Sequence, residues 1–458
     1  MKTPGAKAVF ILIELFMVIS FLSFHRATAQ GLTFTTNTFT TGNGPYSVVA
    51  TDINGDGRLD LASANLTDNT VRVLTNNGSG SFAFAFQRSM GGAPKCVSAT
   101  DVNGDGKVDL VCADNASLTV LTNNGSGVLG SNATVKAQLY VPCVTTADVN
   151  GDSKPDLVCV NNNIQNGSPA LTLFTNNGSG IFSSNATLTV GDQPLFVTAV
   201  DINGDGYVDL VSANYGAKTL TVLTNNGSGV FGLNATLNLG RRPYCVAAAS
   251  INNNGKLDLI SADQDTSTLT VLTNNGSGIF GSNATLVAGY HPSFVVAADL
   301  NGDGFVDLIS AGLDAGSSLT VFTNNGTGGF GFNTTLKVGV FAGGGARCVI
   351  AADLNSDGKM DLVAANSGGN TLTVLLNTSS FPPPTIVPAL SFNQQGQGMN
   401  VNWPSASFGW SLQENSNLAQ PNWLPSGYGG YSIADNGTNK SLFLPKLTGS
   451  RFFRLLHP

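Results

Sequence analysis

Short apolar runs separated by polar, glycine-rich stretches recur along most of the chain, in a fixed order within each unit. In the first unit an apolar run from Tyr46 to Thr51 leads into an acidic stretch. A second run spans Leu59 to Ala64, a variable turn follows, and an alternating segment runs from Thr70 to Thr75. Asn76-Asn77-Gly78-Ser79-Gly80 and a last run from Phe82 complete the unit. Alternation such as TLTVLT in later units places Leu and Val on one face and Thr on the other, the period of two expected of strands. Asn-Gly is a strong hairpin signal, since both residues tolerate positive φ. Each unit therefore predicts four antiparallel strands.

One string marks the period: DINGDGRLDL from Asp52, DVNGDGKVDL from Asp101, DVNGDSKPDL from Asp148, DINGDGYVDL from Asp201, SINNNGKLDL from Ser250, DLNGDGFVDL from Asp299 and DLNSDGKMDL from Asp353. A spacing of roughly 50 residues belongs to propellers and solenoids whose unit is one small sheet. The ends of the array close it. Residues 33–41 (TFTTNTFTT) read as a fourth strand without the first three, while the seventh unit stops after its third strand at Leu376. Joined, they make one blade and remove the exposed edges of an open array. The predicted fold class is all-β: a seven-bladed β-propeller closed by an N-terminal strand, followed by a small C-terminal β module.

Composition sharpens the reading of the acidic strings. Charged residues make up 11% of the chain and the net charge is −7, yet of 28 acidic residues only Glu14 and Glu414 are glutamates. A preference for the shorter carboxylate that strong points to a geometric task. Counting from Asp52, side-chain oxygens fall at positions one (Asp52), three (Asn54), five (Asp56) and nine (Asp60), with Gly57 at six and the carbonyl of Arg58 at seven. An EF-hand loop shares this spacing over its first nine positions, where a hard cation takes several oxygens and the glycine permits the turn. Calcium is the expected occupant, since no His or Cys stands at a ligand position to suit zinc.

The same donors recur as Asp101, Asn103, Asp105, Lys107 and Asp109; as Asp148, Asn150, Asp152, Lys154 and Asp156; and as Asp201, Asn203, Asp205, Tyr207 and Asp209. They recur again as Asp299, Asn301, Asp303, Phe305 and Asp307, and as Asp353, Asn355, Asp357, Lys359 and Asp361, which gives about six sites. The fifth loop, Ser250 to Asp258, carries Ser250, Asn252 and Asn254 with a single carboxylate, and is expected to be weak or empty. In the third loop Ser153 replaces the position-six glycine and Pro155 stiffens the chain. Three carboxylates within nine residues repel one another without a cation, so ordinary Asx-turn chemistry does not account for the repeat.

Lys2 and Lys7, an apolar run from Val9 to Phe24 and Ala27-Thr28-Ala29 before Gln30 have the form of a secretory signal. Residues 1–29 are expected to be removed, and the chain to be secreted or held at the cell surface, extracellular or periplasmic. No later segment reaches the roughly 18 apolar residues of a membrane span. The propeller is assigned to residues 31–380, a Pro-rich linker to 381–389, and a small sandwich-like β module with Trp403, Trp410 and Trp423 to 390–458.

Six cysteines suit an oxidising compartment. Cys96 with Cys112, and Cys143 with Cys159, share one offset across the acidic loop, which makes two intrablade disulfides candidates. The alternative is that all six are small buried thiols. Asn-x-Ser/Thr sequons, for instance at Asn77 and Asn124, read as turns rather than glycan acceptors.

The acidic loop, together with Phe-Gly at Phe231, Phe280 and Phe330 and G-x-x-P at Gly91, Gly191, Gly240 and Gly289, resembles the FG-GAP and VCBS-type repeat family. That family includes the integrin α-chain headpiece, and the likeness extends over roughly residues 31–380. It implies a calcium-binding propeller acting in adhesion or protein interaction. The tail, with its W-x-L-x-x-N-x-N-L pattern from Trp410, is similar to fibronectin-like modules of secreted bacterial proteins.

Acid–base catalysis near neutrality recruits His or Glu, and beyond the leader the chain offers His291, His457 and Glu414 alone. No nucleophile motif or P-loop is present, so no enzyme is expected. The acidic charge without basic clusters argues against nucleic acid. Variable loops on the face opposite the acidic strings hold Tyr215, Arg241, Arg242, Tyr244, Tyr290 and His291, a candidate patch for an extracellular protein or glycan. The expected molecule is a monomeric interaction module, with a carbohydrate-binding lectin or a calcium-dependent polysaccharide lyase as alternatives.

Overall fold

The computed structural model describes residues 31–380, apart from 138–139, 163–168, 314–316 and 340–343, and the residues of seven strands between Ser391 and Leu456. The leader (1–29), the linker (381–389), Trp410 and Trp423 lie outside the described residues.

Seven four-stranded antiparallel sheets follow one another in chain order. The first blade consists of Pro45–Thr51, Asp60–Asn65, Thr70–Asn76 and Phe82–Ser89, and the five blades after it repeat that order. The seventh is built from Ala346–Ala352, Asp361–Asn366 and Thr371–Asn377, and its outermost strand is Phe34–Thr40 from the other end of the chain. That strand pairs antiparallel with Thr371–Asn377, from Phe34 opposite Asn377 to Thr40 opposite Thr371. The ring is thus closed as its split blade predicts. The first strands of successive blades touch around the ring, and Pro45–Thr51 meets Ala346–Ala352 where it closes, so the first strands line the axis.

Burial follows from stacking the blades face to face. Second strands such as Asp60–Asn65 and Asp209–Asn214 are buried along their whole length. Fourth strands such as Phe231–Asn238 are mostly exposed, as outer edges are. Third strands depart from the simple alternation: Thr221, Thr270 and Thr373 are buried as well as their Leu and Val neighbours. Both faces of a propeller sheet meet a neighbouring blade, so the threonine face is lodged between blades and needs polar partners. It finds them. Asn214 Nδ2 donates to Thr221 Oγ1 at 2.8 Å and Asn366 Nδ2 to Thr373 Oγ1 at 2.8 Å, while Thr270 donates to Asp263 Oδ2 at 2.5 Å.

The intrablade disulfides do not form, and all six cysteines are free. Val97 lies opposite Cys112, and Val144 opposite Cys159. Cys96 and Cys143 are each one residue out of register with the proposed partner, and successive side chains point to opposite faces of a sheet. Cys96 instead approaches Cys143 of the next blade, with 3.8 Å between the sulfurs.

The C-terminal strands form two antiparallel sheets. Ser391–Gln395, Gly398–Pro404, Asn439–Leu444 and Ile433–Asp435 make one, and Leu424–Pro425, Ser411–Asn415 and Phe452–Leu456 the other. No helix among the described residues is long and apolar enough to cross a membrane.

Candidate functional site

The acidic loops join first strands to second strands at one pole of the ring. Position nine anchors each of them. Its carboxylate is buried in all seven blades; Oδ1 accepts the amide of the first turn asparagine at 2.7–2.9 Å, as in Asp60 with Asn76 and Asp361 with Asn377. Oδ2 accepts the amide of position two at 2.9–3.2 Å. The turn asparagine then reaches sideways. Asn225 Nδ2 donates to Val149 O of the preceding blade at 2.8 Å and to Val208 O of its own at 3.1 Å. Asn76 does the same to Leu354 across the point of closure, at 2.7 Å.

The N-N-G-S-G string is therefore more than a hairpin turn. Its first Asn joins adjacent blades, its second accepts the amide two residues on (Ser79 N to Asn77 Oδ1, 2.9 Å), and the positive φ belongs to the two glycines. At Gly78, with φ of 88°, a Cβ would stand 2.8 Å from Arg58 Nε, because the position-seven side chain lies over the turn.

Positions one, three and five shape the loop itself. Asp52 Oδ1 accepts the amide of Asp56 at 3.1 Å and Oδ2 that of Gly57 at 2.8 Å. The same pair of bonds recurs at Asp101, Asp148, Asp201, Asp299 and Asp353. Asn54 Oδ1 takes the amide of Asp56, and Asp56 Oδ1 that of Arg58. Ser153 holds the third loop in this form with a φ of 63° and donates its amide to Asp148 Oδ2 at 2.7 Å. The fifth loop differs: Ser250 Oγ is buried without a hydrogen-bond partner, and only the Asn252 and Asn254 bonds remain.

Among the described residues no three acidic, histidine or cysteine side chains converge into a closed metal cage. The donor set is nonetheless of the right kind: oxygens alone, each carboxylate retaining lone pairs beyond those used by backbone amides. Negative charge is crowded there. Burial raises the Asp60 carboxyl above its ordinary value and the charge of Asp56 adds to this, against the amides of Asn76, Ile53 and Asn54. In the sixth loop burial, reinforced by neighbouring Asp charges, lifts Asp307 to about 7 and Asp299 to about 6. Four position-seven cations lean toward position-five carboxylates, from Lys154–Asp152 at 3.6 Å to Arg58–Asp56 at 3.9 Å. Such exposed pairs contribute at most about 1 kcal/mol each.

At the other pole the candidate patch divides. Tyr215 and Tyr244 meet edge to face at 6.3 Å, Arg242 lies 5.2 Å above the Tyr215 ring, and Tyr215 Oη donates to Gln264 at 3.1 Å. Arg241 is diverted into the fifth blade, where Nη1 bonds Thr270 and Thr285. Tyr290 and His291 stack on each other at 3.8 Å.

The FG-GAP-like repeat profile matches residues 52–100, 101–159, 148–212, 201–261, 251–310 and 299–364, well over half of the chain. The chain belongs to the FG-GAP-like repeat family. No curated protein matches the sequence. Among solved structures, the FG-GAP propeller is similar to BBS1N crystallised in complex with ARL6DN, with a TM-score of 0.54 and 11% identity over 78% of this chain and 98% of that one. It is similar to virginiamycin B lyase from Staphylococcus aureus, at a TM-score of 0.51 and 13% identity, over 75% of this chain and 99% of the other. An Agrocybe aegerita lectin that recognises non-reducing terminal N-acetylglucosamine aligns with a TM-score of 0.48 and 20% identity, over 75% and 87%. At these identities the likeness is one of fold.

Two features of the FG-GAP propeller escape a reading of the loops alone. Asp258 anchors the backbone in the fifth loop without the other two carboxylates, accepting the amides of Ile251 and Asn274. Tyr46, Lys95 and Arg347 gather on the axis beside Tyr244. Aligning the seven first strands would have brought them to one position.

Proposed function

We propose that this FG-GAP propeller is a secreted interaction module, rigidified by calcium at one pole and binding a partner at the other. The observation that carries the reading is the sixfold recurrence of one loop geometry, with carboxylates at positions one, five and nine on a frame of backbone amides. Asp52, Asn54, Asp56, Asp60 and the Arg58 carbonyl, and their counterparts in five further loops, would hold the ion. Calcium would supply charge neutralisation, relieving the crowding of three carboxylates. At free calcium ten times the dissociation constant each site contributes about 1.4 kcal/mol, so six give about 8 kcal/mol. The fifth loop, lacking two of the three carboxylates, would stay empty. Calcium is structural in this reading, and the protein performs no chemistry on its ligand.

Partner binding is assigned to the opposite pole, where Tyr215, Arg242 and Tyr244 form a continuous aromatic and basic surface, as interaction hot spots commonly do. A glycan ligand is the second reading, favoured by the exposed Tyr290 ring stacked on His291. Melting of the mature protein in millimolar calcium and in excess EGTA, with elemental analysis of bound ions, tests the calcium assignment. Equal melting temperatures and no bound metal would overturn it. Protein and glycan arrays probed with and without chelator separate the two ligand classes.

A further inference from the structure

At the pole away from the acidic loops, the residues preceding Ser47, Cys96, Cys245 and Cys348 on the axial strands are Tyr46, Lys95, Tyr244 and Arg347. Tyr46 and Tyr244 belong to the first and fifth blades, yet their hydroxyls are hydrogen-bonded, so they meet across the mouth of the channel. Arg347 Cζ lies 5.1 Å from the Tyr46 ring, and Lys95 Nζ lies 3.7 Å over the Tyr140 ring. Tyr140 enters from the loop before the third blade with a φ of 66°, a conformation bulky residues rarely adopt. One residue further along the strands, the rings of Phe196 and Phe294, from the fourth and sixth blades, meet edge to face at 5.6 Å.

The charge of this cluster has no counter-charge among the described residues: neither Lys95 nor Arg347 has a carboxylate within ion-pair distance. Arg347 Nε is buried without a hydrogen-bond partner, a condition native proteins rarely leave unanswered. Burial lowers the pKa of Lys95. Half-buried cations that lack an anion are costly, and the protein as a whole is acidic. Two half-buried cations set against tyrosine rings fit a negatively charged group brought from outside.

We propose that this axial mouth is a carboxylate-binding site, filled by an acidic side chain of a partner protein. The Arg347 guanidinium offers a planar donor pair that matches a carboxylate. Lys95 supplies a second charge, and the Tyr46 and Tyr244 hydroxyls supply rearrangeable hydrogen bonds. Tyr244 also contacts Tyr215, which makes the mouth continuous with the surface assigned above to partner binding. The inference rests on that assignment and specifies the chemistry of the contact.

The mature chain in millimolar calcium should bind a blocked glutamate-containing peptide roughly tenfold more tightly than its glutamine counterpart by titration calorimetry. Added salt and free acetate should both weaken it. Arg347→Gln and Lys95→Gln should each reduce the preference roughly tenfold, with calcium-dependent melting unchanged. Acetate competition in the unaltered protein keeps the test open if either variant fails to fold. Equal affinity for the two peptides overturns the proposal, as does binding of uronate oligosaccharides or inorganic phosphate in place of the glutamate peptide. An intact calcium-dependent melting curve in that case, with partner capture on the arrays unaffected by the two substitutions, leaves the broader interaction reading standing.

Discussion

The sulfurs of Cys96 and Cys143 lie 3.8 Å apart across the seam between the second and third blades, and Cys96 Sγ also donates to Val144 O at 3.4 Å. Cys143 Sγ in turn donates to Val197 O of the fourth blade at 3.9 Å. Both thiols therefore reach the axial strand of the next blade.

That arrangement fixes which cysteines can be oxidised together. Treatment with oxidised glutathione should join Cys96 to Cys143, the two thiols giving up two protons and two electrons as one glutathione disulfide becomes two thiols. Peptide mapping should recover the Cys96–Cys143 cross-link and no Cys96–Cys112 peptide. Recovery of the latter would contradict the register of the second blade.

Asp258 separates the anchoring role of position nine from metal binding. Asp258→Ala leaves the buried amides of Asn274 and Ile251 without an acceptor, a loss of about 2 to 4 kcal/mol. The expected outcome of chemical denaturation is a clear drop in stability, with the calcium content from elemental analysis unchanged. If fewer ions are bound, the fifth loop is a site after all.

The fifth loop should also be repairable. Ser250→Asp with Asn254→Asp restores the missing carboxylates at positions one and five, and the first also replaces a buried hydroxyl that has no partner. One additional calcium per chain is expected, together with a rise in melting temperature that appears in calcium and vanishes in EGTA.

Asp263 supplies a pH dependence. Burial raises its carboxyl above 3.8, while hydrogen bonds from Ser261 and Thr270 and the charge of Arg241 oppose the shift. A carboxyl raised in the folded state favours folding most below its unfolded value, and that contribution is lost as pH rises through the folded value. The first, third, fourth and seventh blades carry Asn65, Asn161, Asn214 and Asn366 at this position. Asp263→Asn should raise the melting temperature at pH 7 by roughly 2 °C, the shift expected of about 1 kcal/mol in a large domain. The advantage should shrink as pH falls toward 4. A gap independent of pH would rule out ionisation of Asp263 as its cause.

The sequence by itself determined the number of blades, the strand order and the closure, because these depend on local periodicity and on counting strands at the two ends. It also identified the acidic loops, whose donors are near neighbours in the chain. Only the tertiary structure decided what those residues touch across blades. Asn225 bonding Val149, the threonine face between sheets, the thiol that approaches Cys96, and the meeting of Tyr46 with Tyr244 all join residues about 50 or more positions apart or on faces that alternation alone leaves unassigned. Period two says which side chains share a face. What that face packs against is set by how sheets stack around the axis, and a neighbour from another blade leaves no trace in the spacing of either strand.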